Sequence, residues 1–198
     1  MTRIADTIST FFVERKIISE EERAASRYGI EILISTIVGF GIIILIGLIC
    51  GKLDFAVVYL FTIVPIRMYT GGYHAKTYLT CNSVFALIFF INLVLSQYFI
   101  NSSAKWILLI FTLWVYLPEI LFAPIENMNK KISEEKKKKY KKISMLLTAV
   151  FYFAALLMIL NRKPSGVIIL LALNTVGILM MEVIINEKIH EFRIKAHC

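Results

Sequence analysis

The chain has 198 residues, 58% of them hydrophobic and 18% charged, and its mean hydropathy is +0.73. Soluble domains run to roughly 45–50% apolar and about 25% charged residues, so an ordinary water-soluble globule is excluded. The formal net charge of +8 is spread between hydrophobic runs, as the positive-inside bias of membrane proteins requires, and it argues against nucleic acid as a partner.

Taken in chain order, residues 3–18 space Ile4, Ile8, Phe11, Phe12, Val13, Ile17 and Ile18 helically, with most charges elsewhere. This predicts an amphipathic helix lying in the membrane interface; the alternative is a helix packed on the rest of the protein. The mixed-charge start lacks the basic region and cleavage site of a signal peptide, so the first span is expected to direct insertion. Ser19-Glu20-Glu21-Glu22 fits a capping box and starts a second helix that runs into that span.

Six apolar segments follow, at Tyr28–Cys50, Leu53–Met68, Asn82–Ile100, Ala104–Ala123, Ile143–Leu160 and Pro164–Ile185. A helical span needs about 20 apolar residues, with a range of about 17–25. The second segment is short and contains Pro65, which leaves a tilted span or a re-entrant segment open; a span is favoured. The predicted fold is therefore all-α and polytopic, with about six transmembrane helices in one membrane-embedded domain over 1–198. Residues 1–27 form its interfacial amphipathic region, 28–185 its spans and 186–198 a tail. Five Lys/Arg precede the first span, two lie between spans two and three, eight between four and five, and three follow the sixth. Only Lys52, Lys105, Arg162 and Lys163 fall on the other side. Both termini are thus expected in the cytoplasm. In the fourth loop Ser133 is expected to cap a helix that opens on Glu134 and Glu135 and continues through Lys136, Lys137, Lys138 and Lys139.

Chemistry concentrates between spans two and three, from Arg67 to Asn82. This stretch holds Gly71-Gly72, the only Gly-Gly of the chain, with His74 and Cys81. The other histidines, His190 and His197, lie in the tail with Cys198, where a chain end is poorly suited to hold a site. Three widely spaced cysteines (Cys50, Cys81, Cys198) without a C-x-x-C speak against a disulfide framework or a zinc site, and Cys50 reads as packing. A cysteine nucleophile works as thiolate, which a nearby imidazole generates near neutral pH. With Thr80 as N-cap, Cys81 would sit at a helix N-terminus, where free N–H groups favour negative charge and offer an oxyanion hole. On a continuous helix, however, His74 and Cys81 would stand about 10.5 Å apart along the axis. The two work together only if the chain bends, which Gly71 and Gly72 permit. A chance His and Cys in a polar loop is the bland alternative. Arg67 reads either as a topology charge or as a clamp for a peptide carboxylate.

The pattern Arg67-x-x-x-Gly71-Gly72-Tyr73-His74-Ala75 followed by Cys81 resembles the signature of the accessory gene regulator B (AgrB) family. These are membrane cysteine endopeptidases of Gram-positive peptide quorum sensing. The stretch from Ala123 to Lys130 resembles the family's segment after the fourth span, and length and span count agree. The resemblance implies cleavage of an AgrD-type precursor peptide, with Cys81 as nucleophile and His74 as base. A cysteine or serine of the precursor then closes a thiolactone or lactone ring. It also implies importance for Arg67 and Gly72, a homodimer, and no metal or small cofactor. Lys136 to Lys139 read as a grip on anionic membrane lipids, or additionally as a recruiter of the precursor's acidic tail. The rival reading is a small multipass peptide or ion transporter, suggested by Glu31, Glu119 and Glu182 in or near spans. All three are expected close enough to span ends to reach the interface.

Overall fold

The computed structural model describes residues 2–71, 77–125 and 133–196, with side chains described as far as 186. Every regular element among them is helical. The order is α1 (Thr2–Glu14), α2 (Glu20–Ile49), α3 (Leu53–Thr70), α4 (Tyr78–Asn101), α5 (Ala104–Thr112), a 3-10 turn (Leu113–Val115), α6 (Tyr116–Phe122), α7 (Glu134–Leu160) and α8 (Ser165–Ala196). Six stretches are long and apolar enough to cross a membrane: α2, α3, α4, the run Ala104–Phe122, α7, and α8 as far as Asn186. This is the expected multi-pass architecture. Large apolar side chains such as Ile37, Phe61, Leu87, Ile107 and Phe153 face outward on several of these helices. Such an apolar exterior is stable against lipid, not water.

α1 ends four residues earlier than the periodicity suggests. Lys16 takes a left-handed φ of 55°, with Ile17 N–H donating to Phe12 carbonyl and Lys16 N–H to Val13 carbonyl. That is the Schellman closure, and it leaves Ile17 and Ile18 outside the helix. Ala5 and Ser9 turn inward while Ile4 and Phe11 stay exposed, so α1 both packs on the protein and presents an apolar face. The capping box forms as read: Ser19 Oγ accepts from Glu22 N–H, and Glu22 Oε2 accepts from Ser19 N–H at 2.9 Å. Such a cap is worth about 1 kcal/mol.

α2 carries its buried side on Glu31, Ser35, Gly39, Ile43 and Gly47, one residue in four. Gly47 lies against Ala56 and the Lys52 carbonyl, which lets α2 and α3 form a tight hairpin. α3 is a single helix through Pro65, and its buried face runs from Phe55 through Ile66 to Thr70. A proline in a span is tolerated where neighbouring groups take up the freed backbone carbonyl. The fourth span is broken by the 3-10 turn just before Pro118, whose missing N–H interrupts the helical ladder.

α8 is the centre of the bundle. Of its apolar stretch 72% is buried, against at most 39% in the other five spans. Gly166 meets the Ala155 carbonyl of α7, and Gly177 meets Trp114 and Val115. Polar pairs cross the core here: Asn92 donates to Thr175 at 2.8 Å, Trp114 Nε1 to Asn174 at 2.7 Å, and Asn174 to Thr112 at 2.7 Å. Interhelical bonds of this kind contribute about 0.6–2 kcal/mol each in a membrane.

Candidate functional site

The site is built where α3 ends and α4 begins. Arg67 occupies the last turn of α3 and is half-buried. Thr70 is fully buried. Gly71 then takes φ 69° and ψ −151°, a conformation open to glycine and strained for other residues. α3 therefore ends at Gly71, and the expected fold-back of His74 towards Cys81 lies outside the described residues. The end of α3 differs from those of α1, α2 and α7, which close on left-handed Lys16, Gly51 and Arg162 with ordinary Schellman bonds. Gly72 and His74 lie outside the described residues.

The chain returns at Thr77. Its hydroxyl accepts from Thr80 N–H at 3.2 Å, and the two threonine hydroxyls are 2.8 Å apart. Thr77, not Thr80, is therefore the N-cap of α4. Both threonines precede the apolar run, but only Thr77 has the extended backbone that a cap requires. Cys81 moves accordingly from the helix start to the end of its first turn. Its N–H donates to Thr77 carbonyl at 3.0 Å, so that amide is already used and is not spare for an oxyanion. The half-buried thiol still lies within the first turn, where the helix dipole favours anions. Arg67 in the last turn of α3 and Cys81 in the first turn of α4 thus stand on either side of the joint.

A third segment closes on the end of α3. After α6 the chain passes the cis peptide Ala123–Pro124, and Ile125 N–H donates to Thr70 carbonyl at 2.8 Å. A methyl group added at Gly71 would collide with the Ile125 carbonyl. The two stretches singled out in the sequence, around Gly71 and after Ala123, thus touch. Residues 126–132 of the second stretch lie outside the described residues. Tyr69 stacks edge-on against Tyr140 of α7 at 5.4 Å, and Lys141 Nζ donates to Ile120 carbonyl.

Lys136, Lys138 and Lys139 are exposed on the first turns of α7 at this same end, and Lys137 pairs with Glu134 at 2.7 Å. Ser133 holds the N-cap position, but its side chain makes no capping bond. The backbone alone starts that helix. Cys50 is exposed at the far end of α2, away from the site; Cys198 and the side chains of the tail histidines lie outside the described residues.

The acidic residues differ from expectation in one respect. Glu119 is near a span end but fully buried; its Oε1 accepts from Thr148 at 2.7 Å, and Oε2 has no partner among the described residues. Packing by α7 and α8 covers it, so it does not reach the interface. Glu31, also buried, accepts from Arg27 at 3.2 Å and from the Tyr78 hydroxyl at 2.9 Å. Sequence reading missed Thr70, Tyr78, Asn82 and Ile125. The polar and small residues at every fourth position of α2 were the available signal for Tyr78 and Asn82.

Among the described residues, six helices long and apolar enough to cross a membrane define a multi-pass membrane protein. The family model described as AgrB, accessory gene regulator B, matches residues 4–185. The chain belongs to the accessory gene regulator B family, and with it to the accessory gene regulator quorum-sensing system. No curated protein and no solved structure matches the chain.

Proposed function

We propose that the chain is a membrane cysteine endopeptidase that cleaves an AgrD-type precursor peptide and supports its cyclisation. The observation that carries this reading is the half-buried Cys81 in the first turn of α4, in a chain of the accessory gene regulator B family. A helix N-terminus stabilises thiolate, the reactive form. In the reading, His74 takes the thiol proton and Cys81 attacks the scissile carbonyl. The amine leaves with a proton from His74, and an acyl-enzyme thioester remains. A precursor cysteine then displaces Cys81 to give a thiolactone; a serine gives a lactone. Thioester exchange is close to balanced, so held geometry matters more than driving force.

The substrate side follows the same logic. The apolar face of α1 and the lysines of α7 support a site at a lipid surface, where an amphipathic precursor concentrates. The site and both termini face the cytoplasm in this reading, and the working unit is a homodimer. Co-expression with a short precursor peptide, read by mass spectrometry, tests it. Cys81→Ala and His74→Ala abolish cleavage with insertion intact, and Cys81→Ser keeps at most a trace. Cys50→Ala and Cys198→Ala cleave normally. Unimpaired cleavage by Cys81→Ala ends the assignment.

A further inference from the structure

α2 and α4 run side by side and in register. Tyr78 donates to Glu31 at 2.9 Å, and one turn further along Asn82 donates to Ser35 carbonyl at 3.3 Å while Ser35 Oγ donates to Asn82 Oδ1 at 3.4 Å. Both pairs are 47 residues apart in sequence, which is the mark of two parallel helices meeting on a constant offset. Gly39 continues the seam, because a methyl there would meet Asn82 Oδ1 at 3.1 Å. At about 100° per residue, Tyr78 and Asn82 project from nearly the same side of α4, and Cys81 projects about 60° from Tyr78. The two anchors bracket Cys81 in sequence. Together with the Asn92–Thr175 bond further along, they fix the rotation of α4 about its axis and pin its first turn.

The anchors are themselves held. Glu31 also accepts from Arg27 Nε at 3.2 Å, Arg27 Nη1 lies 3.5 Å from Asp6 of α1, and Arg23 lies 3.3 Å from the same carboxylate. A line of charge and hydrogen bonds therefore runs from α1 through α2 to the first turn of α4. Glu31 is buried although its helix begins in a solvated acidic turn. A buried carboxylate that accepts from two donors on different partners is a rigid joint, since losing either donor leaves it under-satisfied.

We propose that Glu31 and Tyr78, seconded by Ser35 and Asn82, are positioning residues that clamp the first turn of α4 to α2 and so fix where the Cys81 thiol sits. α1 serves as the outer buttress through Asp6. The catalytic consequence rests on the endopeptidase reading; the clamp itself does not.

The test uses the full chain in membrane vesicles, with Cys50→Ala and Cys198→Ala so that Cys81 is the thiol labelled. Tyr78→Phe keeps the ring and removes the bond. It is expected to lower kcat between about ten- and a hundredfold with KM nearly unchanged, as small misplacements of a reacting group do. The rate of Cys81 alkylation by N-ethylmaleimide is expected to rise severalfold, because the released turn exposes the thiol. Glu31→Leu should match Tyr78→Phe, the double variant should be no worse than either, and Glu31→Gln, which keeps an acceptor for Tyr78, should recover most of the loss. Additive losses, a raised KM at unchanged kcat, or no rescue by Glu31→Gln would overturn the clamp. Should Cys81→Ala cleave normally, the endopeptidase reading falls and labelling alone decides. Faster alkylation in Tyr78→Phe then supports the clamp, and an unchanged rate overturns it.

Discussion

Thr70 and Ile125 are 55 positions apart in sequence, yet the Ile125 N–H donates to the Thr70 carbonyl at 2.8 Å. This bond fastens the exit of α3 to the segment that follows α6, and it seats Gly71 directly against the Ile125 carbonyl. Gly71→Ala should therefore fail twice, through its positive φ and through the collision, at a cost of about 1–3 kcal/mol for the backbone strain alone. Gly51 has a similar φ of 63° but open space around it. Gly51→Ala should insert and cleave nearly normally, with about 1 kcal/mol lost. Thermal unfolding in detergent with parallel cleavage assays compares the two, and equal behaviour would show the Ile125 contact to be irrelevant.

Topology can be read chemically. Lys52, Arg162 and Lys163 mark the turns at one end of the bundle, and the α3–α4 joint and the base of α7 share the other. If the basic end is cytoplasmic, a membrane-impermeant thiol reagent applied to intact cells misses Cys81 and Cys198. Strong labelling of Cys198 from outside contradicts this orientation.

The lysines of α7 separate two roles. Lys141, which holds the Ile120 carbonyl, is left in place while Lys136, Lys137, Lys138 and Lys139 are replaced with Gln. Anionic lipid binding then weakens by roughly 1 kcal/mol per lysine near the surface. If these lysines also recruit substrate, cleavage of an acidic-tailed precursor slows in this variant, whereas a precursor with a neutralised tail is little affected. Raising salt should mimic the substitution. Equal slowing of both precursors leaves lipid binding alone.

The pair of Glu119 and Thr148 predicts a stability effect away from the reaction. Thr148→Val removes the donor to a fully buried carboxylate, which costs about 1–3 kcal/mol. Thr148→Ser keeps the hydroxyl and should unfold close to the parent temperature. Indistinguishable melting of Val and Ser variants would show that the bond contributes nothing.

Much of this arrangement is written in local patterns. Apolar run lengths mark the six spans, Ser19 and Glu22 mark the start of α2, and Gly71 marks the end of α3, because each depends on residues within one or two turns. The N-cap of α4 is a harder case. Thr77 and Thr80 carry the same hydroxyl, and only the backbone path out of Gly71 decides which one is extended. The end of α1 depends on Lys16 accepting a left-handed conformation that its side chain does not advertise. Contacts such as Thr70 with Ile125 and Tyr78 with Glu31 join distant segments, so no periodicity in either segment reveals its partner. The break before Pro118 was open to inspection, since a proline inside a span always removes one backbone donor.

The enclosure of α8 bears on how the protein is made. Translation delivers α2 through α7 to the membrane before α8, the helix that fills their common centre. Until it arrives, Asn92, Thr112 and Trp114 lack the partners they bond on α8. The five earlier spans must wait in the bilayer as an open ring, with polar side chains facing one another or lipid. A ribosome that stops before Ser165 therefore leaves a set of inserted helices with no keystone, and such a product should be the preferred substrate of membrane quality-control proteases.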